Sequence, residues 1–118
     1  MTAGQKLEAF ILKHIQYSFE FFADQPRLSE LVEFIAQERK EIITRHKECI
    51  RSLLAEILAE GNRSKEFNIP DILETAQVIQ FATMGFHAPP MVMLGFHSLE
   101  EIERQAKGVI RLLVKGLS

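Results

Sequence analysis

The sequence predicts an all-α fold, an antiparallel bundle of about five helices forming a single domain over residues 1–118. Three observations predict it. Apolar residues recur at spacings of three and four through most of the chain. No stretch of useful length alternates apolar and polar residues as a half-buried strand would. The breakers, Pro26, Gly61, Pro70, Pro89 and Pro90, fall between the periodic segments.

The first helix is read from Lys6 to Phe22. Leu7, Phe10, Ile11, His14, Ile15, Ser18 and Phe21 share one side, and Lys6, Glu8, Lys13 and Glu20 lie elsewhere. Its end is crowded with Tyr17, Phe19, Phe21 and Phe22, and "ADQP" breaks it at Pro26. A second helix begins at Arg27 or Leu28 and carries Leu31, Val32, Ile35 and Ala36. No Gly or Pro separates it from a long third helix, so the wholly polar run Gln37 to Glu41 is the expected break. Ile42, Ile43, His46, Ile50, Leu53, Leu54, Ile57 and Leu58 hold the third helix's period, and Gly61 has the chemistry of a C-terminal cap.

Pro70 suits the first turn of a fourth helix running to about Phe86, and the charge of Asp71 suits its N-terminus. Ile72, Ala76, Ile79, Thr83 and Phe86 make one apolar face; Leu73, Gln77, Phe81 and Met84 make a second, nearly apolar one. In "HAPPMVMLGFHS" the prolines exclude a continuous helix, while Met91, Val92, Met93, Leu94 and Phe96 require cover. Ser98 and Glu101 then form a capping box, and Leu99, Ile102, Ala106, Val109, Ile110, Leu113 and Leu117 trace the last helix.

Composition bounds the function. At 47% apolar and 25% charged residues, the chain matches ordinary globular proteins rather than disordered or fibrous ones. A net charge of −2 offers no phosphate-neutralising surface, so this chain alone is not expected to bind nucleic acid. The densest basic stretch, Arg39 to Arg51, is interleaved with Glu41 and Glu48 and reads as a solvated helix face. One cysteine, Cys49, excludes an internal disulfide framework, and "MTAGQKLEAF" has no signal-peptide core. A cytoplasmic location is expected, and no window holds the roughly 18 consecutive apolar residues of a membrane span.

The last two helices carry more apolar residues than one small bundle can bury. A two-fold homodimer is the expected solution, with Ile72, Ala76, Ile79, Thr83, Ile102, Ala106, Val109, Ile110 and Leu113 as candidates for its interface.

The order of these pieces resembles a known family. An aromatic-rich helix, a shorter one, a long helix closing in "AEGNRSKEF", then "PDILETAQVIQFATMGF" and a terminal "SLEEIERQAKGVIRLLVKGL" together resemble the C-terminal regulatory domain of TetR-family transcriptional regulators. In that family the long helix typically ends in Gly, followed by a polar turn and an aromatic that seats the chain; here these are Gly61, Glu66 and Phe67. Family members often have a second glycine just before the Glu-Phe pair, where this chain has Lys65. The resemblance covers essentially the whole chain. It implies a ligand-sensing and dimerising domain of a repressor, with DNA binding residing in a helix-turn-helix that the chain is expected to lack.

The resemblance also implies an effector pocket among the first four helices. Phe10, His14, Tyr17 and Phe21 on the first, His46, Cys49 and Leu53 on the third, and Gln77, Phe81 and Met84 on the fourth are its candidate lining. With no cluster of charge in that set, a small hydrophobic or aromatic effector is expected. It would act as such ligands do, by differential affinity for two arrangements of the dimer. The competing reading is a free-standing helical protein-interaction or dimerisation module with a filled core and no small-molecule ligand.

Catalytic signatures are missing. There is no G-x-S-x-G elbow, phosphate-cradling glycine loop, dinucleotide fingerprint or H-E-x-x-H, so no enzyme and no cofactor is expected. His46 and Cys49 are three residues apart, but two ligands do not close a zinc site, and no metal is expected.

Overall fold

A computed structural model of the chain describes residues 1–23, 27–83, 86 and 98–118, with the backbone alone described at 21–23 and 27–29. Among them are the helices α1 (Ala3–Ala23), α2 (Arg27–Glu38), α3 (Lys40–Arg63), α4 (Ile72–Thr83) and α5 (Leu99–Leu117), and no strand. The fold class is all-α, as the periodicity requires. Expectations for Met84, His87, Pro89, Pro90, Met91, Val92, Met93, Leu94, Phe96 and His97 lie outside the described residues.

Each helix end has a local cause. The α2–α3 break falls at Arg39, inside the polar run, where the backbone leaves helical geometry at φ −131 and ψ 61. Arg39 donates to the Glu41 carboxylate beside it, and that bond holds Glu41 below the usual carboxylate range. At α4 the structure corrects the expected start. Pro70 precedes the helix; Asp71 caps it, its carboxylate accepting from the Glu74 amide at 3.1 Å. Ser98 caps α5 by accepting from the Glu101 amide at 3.2 Å.

Gly61 is also corrected. It does not stop α3, which continues through Arg63 to a cap at Ser64. Its missing side chain instead makes room for a ring: a Cβ there would lie 2.1 Å from Cδ2 of Phe67, with no space to share. The turn that brings Phe67 back is held by its own polar atoms. Phe67 N donates to Gly61 O at 3.0 Å, and the Asn62 amide exchanges two hydrogen bonds with the backbone of Ile69. Lys65 is the turn's left-handed residue, at φ 65, a conformation that costs a side-chain-bearing residue about 1–2 kcal/mol. It occupies the position where the resembling family often has glycine.

Glu66 closes the same turn onto α1. Its two carboxylate oxygens accept from the amides of Ala3 and Gly4, at 2.8 and 3.0 Å, satisfying donors that a helix N-terminus otherwise leaves unpaired. Beneath lies the core: Leu7, Ile11 and Ile15 of α1, Leu54 and Leu58 of α3, Phe67 and Ile69 of the turn, Ala76 and Ile79 of α4, and Ile102, Ala106 and Ile110 of α5.

Candidate functional site

At the other end of α1 and α3 the helices enclose an open cleft of about 520 Å³. Its described lining comes from α1 (Phe10, Ile11, His14, Ser18), α2 (Val32), α3 (Ile43, His46, Lys47, Ile50, Arg51, Leu54) and α4 (Gln77, Gln80, Phe81, Thr83). The α3 contribution is two rows at four-residue spacing, 43-47-51 and 46-50-54, and α1 supplies a third, 10-14-18. Side chains four apart stand one above another on a helix, so each row lays a strip along the cleft wall.

Of the expected pocket residues, Phe10, His14, His46, Gln77 and Phe81 come together in this lining. Tyr17, Cys49 and Leu53 do not: they are exposed and outside it, Tyr17 by 71%. The reason is helical geometry. The expected rows took one three-residue step each, from His14 to 17 and from His46 to 49 (and so to 53), where the cleft rows step by four to 18 and to 50 and 54. The side chain of Phe21 and all of Met84 fall outside the described residues. Sequence reading passed over Ile43, Lys47, Ile50, Arg51 and Gln80. The apolar members were in the stated helical period, and the basic ones were assigned to a solvated face.

Three rings run along one wall. Phe10 and His14 meet edge to face at 6.5 Å between centroids, and His14 meets His46 at 6.2 Å with 75° between planes. Burial first, and then the adjacent His46 imidazole, lower the His14 pKa below the ordinary histidine value. Between α3 and α4, Gln80 is clamped at both ends: its Oε1 accepts from Arg51 Nε at 3.0 Å, and its Nε2 donates to Lys47 O at 3.0 Å. The clamp ties α4 to α3 and fixes the Arg51 guanidinium.

Among the described residues no group of three or more His, Cys, Asp or Glu side chains is placed to hold a metal. Nor is any described helix long and apolar enough to cross a membrane. The cleft's described lining mixes apolar side chains from all four helices with the polar groups of His14, His46, Lys47, Arg51, Gln77 and Gln80.

The expected dimer contacts divide sharply. Ala76, Ile79, Thr83, Ile102, Ala106 and Ile110 are already buried within the single chain. Ile72, Val109 and Leu113 are half-buried. Outside the cleft, the exposed large apolar side chains on α4 and α5 among the described residues are Leu73, Val78 and Leu112, the last 75% exposed. Apolar on both faces, these helices spend the inner one on the monomer.

Comparison with known proteins gives the same fold a lineage. Searches of curated proteins and of solved structures found no match. A family profile described as "Tetracyclin repressor-like, C-terminal domain" matches residues 3–110, which span all of α1 to α4 and most of α5. Covering well over half of the sequence, that match shows that the chain belongs to the family of tetracycline repressor-like C-terminal domains, the regulatory domains of TetR-type proteins.

Proposed function

We propose that this chain is the effector-sensing and dimerising domain of a TetR-type transcriptional repressor, a cytoplasmic and non-enzymatic module. The observation that carries the reading is the cleft, in which apolar side chains from α1 to α4 stand beside polar groups, two of them, Gln80 and Arg51, oriented by hydrogen bonds. A small effector with an apolar or aromatic body fits it. Homodimerisation is supported by the outward residues Leu73, Val78 and Leu112, large apolar side chains left in water on two adjoining helices. An effector that favours one arrangement of the two subunits alters the spacing of attached DNA-reading helices, and operator DNA is then the partner of the complete regulator.

Native mass spectrometry of the purified chain over a range of concentrations tests both halves. A two-subunit species that carries an additional small-molecule mass is expected. Val78→Glu with Leu112→Glu should convert the dimer to monomer while helical content is retained. An unliganded monomer throughout would favour the competing module, a bundle whose α4–α5 face meets a different protein.

A further inference from the structure

We infer that the cleft takes an amphipathic carboxylate, its apolar body among Phe10, Ile50, Leu54 and Phe81 and its carboxylate on Arg51, with Lys47 alongside. The inference rests on the reading of this cleft as the effector site and specifies the ligand's class. It also revises the expectation that the lining holds no cluster of charge, because Lys47 and Arg51 stand one turn apart in the 43-47-51 row.

Four observations point to an anion. The described lining contains Arg51, Lys47, His14 and His46 and no Asp or Glu, so the charge that the cleft offers is of one sign. Among the described residues neither Arg51 nor Lys47 is ion-paired; the basic side chains that are, Lys6 and Arg39, lie outside the cleft. Arg51 is oriented rather than loose, since its Nε is committed to Gln80, which is itself anchored on Lys47 O. That leaves the two terminal amino groups, a planar fork that matches a carboxylate's two oxygens. Finally, the remaining lining is apolar enough to need an apolar body, so a small hydrophilic anion would leave most of the cleft poorly filled.

The test is isothermal titration calorimetry of the full chain with two matched pairs of probes, octanoate against octanamide and 2-naphthylacetate against 2-naphthylacetamide. At least one carboxylate should bind about tenfold or more tightly than its amide, the scale of a charge-assisted fork contact. Raising the salt from about 0.05 to about 0.5 M should weaken the acid and leave the amide unchanged, a measurement that needs no variant. Arg51→Gln should abolish the preference, Arg51→Lys should restore part of it, and Lys47→Gln, at an exposed side chain, should reduce it. Equal binding of acid and amide, or a preference untouched by both Arg51→Gln and Lys47→Gln in folded protein, would overturn the anion site while leaving the cleft as an effector site. Failure of all four probes to bind at millimolar concentration would overturn the effector reading and this inference together.

Discussion

The two halves of α3 belong to one continuous helix and do opposite things. From Lys40 to Leu53 not one residue is buried, although Ile42, Ile43, Ile50 and Leu53 are all there; from Leu54 to Gly61 the helix buries Leu54, Leu58 and Gly61. The second half is closed by the turn that follows it, which folds Phe67 onto Gly61 and ties α1 down through Glu66. Its first half has no such return, and α1, α2 and α4 stand around it as cleft walls. A helix that is amphipathic throughout can therefore be core at one end and cleft wall at the other. The difference lies in what the neighbouring chain brings to it.

Substitutions along α3 should reproduce that division. Leu58→Ala, in a side chain with no exposed surface, should cost about 3 kcal/mol, whereas Ile43→Ala on the cleft wall should cost less than about 1 kcal/mol. Chemical denaturation measures both, and equal losses would mean that the two halves are packed alike. Next in size is Gly61→Ala, expected to cost about 2 kcal/mol despite alanine's better helix propensity, because the added methyl meets the Phe67 ring. Coupling it with Phe67→Leu should recover part of the loss; strict additivity would mean that the two positions do not press on each other.

A change in the opposite direction is expected at Lys65. Lys65→Gly relieves the left-handed backbone and should raise stability by about 1 kcal/mol, read as a higher melting temperature. The smallest effect concerns pH at the cleft. His14 binds its proton less readily folded than unfolded, so between its lowered pKa and the ordinary histidine value of 6.5 the unfolded chain carries more protons. Stability should therefore be complete above pH 6.5 and decline as the pH falls through that window, and His14→Phe should flatten the decline in pH-dependent melting curves.

Much of the fold was legible in the residues because helix formation is a local matter. The 3.6-residue period, the cap at Ser98 and the polar run around Arg39 announce helices and their limits from a few neighbouring positions. Gly61 was legible as important and misread in kind. A glycine near a helix end looks the same in sequence whether it terminates the helix or vacates space for a ring six residues on. The cleft was half legible for a similar reason: from His14 or His46, steps of three and of four are equally good helix periods, and only the neighbouring helices choose between them.

What the sequence determined alone, then, is the set of helices, their amphipathic character, and the order of Gly61, Glu66 and Phe67 by which the chain resembles a regulatory-domain family. Tertiary structure decided which apolar face each helix spends on the monomer. Ala76, Ile79, Ile102, Ala106 and Ile110 went inward, and Val78 and Leu112 were left exposed. It also decided that Lys47 and Arg51, solvated charges by pattern, stand in the cleft wall. The physical reason is that periodicity records how side chains are spaced around one axis, whereas burial and charge depend on which other axes pack against it.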